Sequence, residues 1–234
     1  MILVIAGRYD ESAQALVIRW ASHDAHLITC NDLSVRGWRS FLGASHASRA
    51  NIGGHEVALE EINGILTRIP CIGAYELLHI LPGDRVYVAT EMNAFLTSWL
   101  CEFRCPVLNR PTPTCLSGPG WRREQWCYAA AQVGIPVRPV RQSVVLAEPT
   151  LPEMTESGGV MVTVVGDRCF GAVDPVVARW ARSLAKAAGT DLLGVQFSSP
   201  EASACFVGAE PWPPVDADGI TDAILDYFQR HACP

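Results

Sequence analysis

Glu210 is the one acid in "CFVGAEPWPP", and in the apolar run "DLLGVQF" before it the only polar side chain past Asp191 is Gln196. Two buried strands joined by a polar turn are where a nucleotide-using enzyme gathers carboxylates for Mg²⁺, a hard ion that takes oxygen ligands in near-octahedral geometry. One carboxylate and one glutamine amide make a poor set for that ion. Glu210 therefore reads either as a metal ligand or as a solvated loop acid beside Pro211, Trp212 and Pro213. Arg168, in "GDR", reads as a phosphate contact or as the tip of a hairpin. Asn109 and Arg110, in "LNRP", follow a short apolar run. A polar residue at the carboxyl end of a sheet strand faces the crevice where α/β proteins bind ligands, and Arg68 has the same claim. A structural role competes at each of these positions.

Other motifs are weaker. His23 and His26, and Glu76 and His79, have spacings that place two metal ligands on one helical turn, but neither pair has a third ligand nearby in sequence. Cys101 and Cys105 read as small residues at a helix end. There is no G-x-S-x-G, no phosphate-binding loop of the Walker type and no G-x-G-x-x-G. Trp38, Trp121, Trp126 and Trp212 stand in polar or turn-rich contexts, which suits a surface that docks a partner.

These residues must be positioned by a chain of 234 residues, 49% hydrophobic and 18% charged, long enough for a large core. A net charge of -6 gives no electrostatic footprint for nucleic acid or an anionic membrane. No apolar run reaches membrane-spanning length, so the expectation is a cytoplasmic protein. Nine cysteines without a C-x-x-C pair predict reduced, mostly buried thiols. Among 18 basic residues Lys186 is the single lysine, which removes any mechanism that needs two.

The element pattern predicts α/β architecture. "ILVIAG", "ESAQALVIRWA" with Ser12 as N-cap, and "AHLITC" form a strand, helix, strand unit and hence a parallel sheet. "GHEVALEEINGILTRIP" reads as a strand pair turning at Asn63-Gly64. Helices are expected over Glu91 to Glu102 and from Trp121 to a stop at Gly134. The prolines and glycines of "AEPTLPEMTESGG" suggest a linker over 147–159 between a domain at 1–146 and a smaller one at 160–234. The second domain opens with a hairpin at Gly166-Asp167 and a helix ended by Gly189. It closes with a helix whose buried stripe is Ile220, Ala223, Ile224, Tyr227 and Phe228, with Asp218 as N-cap.

The order of "LTRIP", "TEMNAFLTSWL", "CPVLNRPTPT", "QWCYAAAQVGIPV", "MVTVVGDRCFGA", "DLLGVQF", "CFVGAEPWPP" and "ITDAILDYF" resembles the ATP-grasp superfamily, in its peptide-ligase branch. The resemblance implies a parallel-sheet lobe ahead of an ATP-grasp core. It also implies an enzyme that uses Mg-ATP to turn a carboxylate into an acyl phosphate for attack by an amine or hydroxyl. On that alignment Met161 stands where relatives carry a phosphate-contacting arginine, and Gln196 where they carry an aspartate. Gly208 and Glu210 stand where they carry a glutamate and an asparagine that hold magnesium. The lobe with two ATP-contacting lysines is replaced by "RQSVVLAEPTLPEMTESGG", which has no lysine. The expectation is a noncatalytic binding or scaffold subunit, without cofactor, whose partner is a peptide or an enzyme, with homo-oligomerisation left open. The alternative is an active ligase with ATP and Mg²⁺, in which Glu210, Asp167 and Arg168 approach metal and phosphates. Arg68, Asn109, Arg110 and Trp212 are the candidates for substrate or partner contact.

Overall fold

The computed structural model describes residues 1–41, 47–138, 159–217 and 219–232. Strand β1 (Ile2–Ile5) is apolar throughout and buried on both faces, as a central parallel strand must be. Helix α1 (Glu11–Arg19) leads to β2 (Ala25–Ile28), which pairs with β1 in parallel. The cap of α1 is Asp10 rather than Ser12: its carboxylate accepts the Ala13 N–H at 2.9 Å, three residues on, as N-cap geometry requires. A short helix α2 (Cys30–Leu33) precedes β3 (Arg49–Ile52) and β4 (His55–Ala58).

The expected turn at Asn63-Gly64 is not there. The β3–β4 hairpin turns at Gly53 and Gly54, whose φ values of 58° and 88° suit glycine. Gly64 instead opens β5 (Gly64–Thr67), a second central parallel strand beside β1. Its lack of a side chain serves packing, since a Cβ there would lie 2.5 Å from the Phe228 ring. Helix α3 (Arg85–Glu102) starts at Arg85, ahead of the expected Glu91, and β6 (Val107–Leu108) completes the order β2-β1-β5-β6.

Helix α4 (Arg123–Gln132) ends as expected, with Gly134 at φ 79°. The second sheet is antiparallel, in the order β10-β9-β7-β8, from β7 (Val160–Val165), β8 (Arg168–Phe170), β9 (Leu192–Phe197) and β10 (Phe206–Glu210). The β7–β8 turn falls at Gly166 (φ 56°), and α5 (Pro175–Ala188) ends at Gly189 in the left-handed region. Helix α6 (Ile220–Arg230) buries the stripe that its periodicity predicts. The Asp218 cap, and the linker apart from Gly159, lie outside the described residues. The mixed architecture, a four-stranded parallel sheet followed by a four-stranded antiparallel one, is the expected fold class.

Three apolar clusters hold it together. One lies between α3 and the parallel sheet and contains Trp99, Leu96 and Ile65. A second joins the sheets: Phe228 and Ile224 of α6 pack with Val4 and Leu66 of the first and with Val165 and Leu192 of the second. In the third, α4 and α5 cover the far face of the second sheet. Among the described residues no helix is long and apolar enough to cross a membrane.

Candidate functional site

The residues that follow β5 and β6 reach the loop after β10: Arg68 donates to the Pro213 carbonyl and Asn109 to the Pro211 carbonyl. Asn109 directly follows β6 and is 3% exposed. Its Nδ2 donates to the carbonyls of Ser117, Leu192 and Pro211 at 3.2, 2.7 and 3.1 Å, and its Oδ1 accepts the N–H groups of Asp191 and Leu192 at 3.1 and 2.9 Å. An amide has two donor hydrogens and two acceptor lone pairs, so nothing remains for a substrate. Asn109 ties the first sheet to the second. Asp191 is fixed further by the Tyr227 hydroxyl, which donates to it at 2.7 Å; burial and that bond hold the phenol well above its ordinary pKa.

Arg110 is also structural in its contacts, donating to the carbonyls of Phe103 and Cys105 where α3 ends. Arg68 is buried against Asp10, with Nε to Oδ2 at 2.8 Å and side-chain exposures of 8% and 18%. Its Nη1 donates to the Pro213 carbonyl at 2.7 Å. Asp10 thus serves α1 and Arg68 together. Neither half of that role is read from the sequence, which points to Ser12 as the cap, and the pairing spans 58 residues.

The positions that the resemblance aligned with phosphate and metal chemistry share one face of the second sheet. Register pairs Met161 with Gln196 and Gln196 with Gly208; the next row on that face is Thr163, Gly194 and Glu210. Around Gly194 the Met161 sulfur, Glu210 Cγ and Pro213 Cβ converge, leaving room for no side chain. A thioether, an amide, a glycine and one carboxylate do not fit Mg²⁺ and phosphate, which call for several hard oxygen ligands and cationic donors. Among the described residues no group of three or more His, Cys, Asp or Glu is arranged to hold a metal ion.

Arg168 stands elsewhere. It is on β8, the opposite edge of the sheet from β10, where its Nη1 pairs with Asp226 at 2.8 Å and its guanidinium lies 5.2 Å from the Phe170 ring centroid. Asp167 is on the same hairpin, so the structure does not bring these two residues to Glu210. Glu210 is half-buried; burial raises its carboxyl pKa, and the nearby Arg68 charge opposes that. No hydrogen bond or ion pair among the described residues engages its carboxylate. Beside it lies a cleft of about 240 Å³ lined in part by Cys71, Trp121, Trp126, Glu210 and Trp212. Trp38, by contrast, packs edge-on against Trp99 and Phe95 in the first core.

The thiols are less buried than expected: among eight free cysteines described, Cys30, Cys105 and Cys115 are buried while Cys71 and Cys101 are exposed. His26 pairs with Asp24 at 2.9 Å, and His79 meets the Ser34 hydroxyl at 2.7 Å.

This arrangement is the fold of the ATP-grasp peptide ligases. No protein-family model and no curated protein matches the chain by sequence. Solved structures do match. The macrocyclase MdnC of Microcystis aeruginosa, bound to its precursor peptide MdnA, superposes with a TM-score of 0.66 at 12% identity, covering 98% of this chain and 100% of that one. A RiPP-associated ATP-grasp ligase of Chryseobacterium gregarium, in complex with ADP and a leader and core peptide, gives 0.66 at 12% identity, over 99% and 97%. The ATP-grasp ligase PsnB with minimal precursor, Mg and ADP gives 0.64 at 13%, over 98% of each chain.

Proposed function

We infer that the protein is a noncatalytic relative of these ligases, a binding or scaffold subunit for a peptide or a partner enzyme in a biosynthetic pathway. The observation that carries this reading is the row Met161, Gln196, Gly208 on one face of the second sheet. It occupies the aligned reactive positions with groups that neither neutralise phosphate nor hold a hard metal ion. The stretch between Val137 and Val160 contains no lysine, and Lys186 is on α5. A peptide is the favoured partner because similar structures were solved with precursor peptides bound.

A second reading is an active carboxylate-amine ligase using Mg-ATP. It is favoured by the similar ligase that holds Mg and ADP together with its peptide. Calorimetric titration of the folded protein with Mg-ATP, repeated with ADP, separates the two. Micromolar binding, about -8 kcal/mol, is the outcome that selects the ligase. No heat in a folded sample, together with saturable binding of a peptide, supports the binding subunit.

A further inference from the structure

The cleft beside β10 holds recognition chemistry that a general peptide-binding role leaves unused. Three tryptophans line it, although Trp126, expected in a docking surface, is 4% exposed and belongs to the third core cluster. The rings of Trp121 and Trp126 lie 4.7 Å apart, tilted by 58°, and Trp212 lines the same cleft from the loop after β10. Glu210 lines it too, and no hydrogen bond or ion pair among the described residues satisfies its carboxylate. The Arg68 charge acts on Glu210 as well, but Arg68 is already paired with the Asp10 carboxylate. Asp10, Arg68 and Glu210 together carry one net negative charge.

Indole faces are electron-rich and attract cations, most strongly where water is partly excluded. A cleft of about 240 Å³ is smaller than the roughly 300–1,000 Å³ that receives a whole drug-sized ligand. It suits one long side chain. The geometry points to a pocket for the ammonium or guanidinium end of a lysine or arginine side chain on a bound peptide. Glu210 is the ion-pair partner, and the half-buried rings of Trp121 and Trp212 take the apolar stem and the cation. The inference rests on the peptide-binding reading for the identity of its occupant and on the cleft's own chemistry for the charge it selects.

The test is a fluorescence titration of the full chain, following its tryptophans, with N-acetyl-lysinamide, N-acetyl-argininamide and the neutral N-acetyl-norleucinamide. The expected result is saturable binding of the two cations, roughly tenfold tighter than norleucine and weakened by added salt. In Glu210→Gln that preference is lost. Trp212→Ala lowers affinity for all three probes while keeping their order, so the proposal remains testable if the first variant does not fold. Equal affinity for norleucine, no binding of any probe, or an unchanged cation preference in folded Glu210→Gln overturns it. Adding 1,5-diaminopentane separates sources: binding as tight as that of the lysine amide assigns the pocket to a free diamine and overturns the peptide side chain.

A set of unrelated peptides distinguishes this inference from the broader reading. If they bind without preference for basic residues, the peptide reading stands and the cation pocket fails. If the single-residue cations bind and no peptide does, the pocket's charge selection stands and the peptide reading fails.

Discussion

Asn109 and Glu210 meet across the junction of the two sheets: the Asn109 amide donates to the carbonyl of Pro211, the residue after Glu210. Both are polar, both stand at a strand end, and both are candidate ligand contacts by residue type. Asn109 spends every donor and acceptor on backbone groups of the other segments, whereas the Glu210 carboxylate has no hydrogen-bond partner among the described residues. Position at the mouth of an α/β sheet therefore does not by itself mark a binding residue. Unused hydrogen-bonding capacity beside a cleft is the stronger signal, because burying a polar group without a partner costs free energy that a ligand can recover.

The comparison is broken most directly at its closed end. Asn109→Leu leaves the Leu192 N–H and several carbonyls buried without partners, so a loss of about 3 kcal/mol or more is expected in urea denaturation. A loss under about 1 kcal/mol means that the amide is not the clamp between the sheets.

Gly64→Ala tests how tightly α6 closes that same junction. A Cβ 2.5 Å from the Phe228 ring forces overpacking that costs about 2 kcal/mol. Phe228→Leu in the same chain should restore part of the loss, and a double-mutant cycle measures the coupling.

Arg168→Ala removes an exposed pair with Asp226, with side-chain exposures of 44% and 54%. The expected change is about 0.5 kcal/mol or less, measured by the same denaturation. Any nucleotide or peptide affinity should be unaltered, since Arg168 stands at the opposite sheet edge from Glu210. Altered affinity would move the site.

The smallest effect sharpens the open end. The folded Glu210 carboxyl keeps its proton to higher pH than the unfolded chain does, whose value is near 4.5. The folded state then binds more protons, so stability from this group is greatest below that value and declines as pH rises through the folded pKa. Glu210→Gln abolishes the decline. Its stability relative to the parent should grow from pH 4 toward neutrality in denaturation at stepped pH, and a difference independent of pH would return Glu210 to the solvated loop acids.

Much of this was legible in the residues. The continuous apolar runs of β1 and β9, the stripe of α6 and the glycines at 134, 166 and 189 each follow from local periodicity or backbone freedom, and the ordered set of stretches carried the fold. Gly64 was misread because Asn-Gly is both a turn dipeptide and, here, the entry to a strand whose glycine makes room for a ring from the far end of the chain. The start of α3 was misplaced because Val86 and Tyr87 are apolar residues left exposed, which blurs its periodicity. Ser12 lost the cap to Asp10, since helix entry is fixed by which side chain reaches the third N–H.

By itself, the sequence determined the residue types: one lysine, one carboxylate in "GAEPWPP", and methionine and glutamine where the resemblance implies an arginine and an aspartate. Local periodicity also set nearly every element. Only the tertiary structure decided which polar groups were already engaged, that Met161, Gln196 and Gly208 form one row, and that Arg168 stands at the edge away from Glu210. Those facts depend on pairings between residues tens of positions apart, and such pairings are set by sheet register and by α6 wedged between two sheets, neither of which a local pattern encodes.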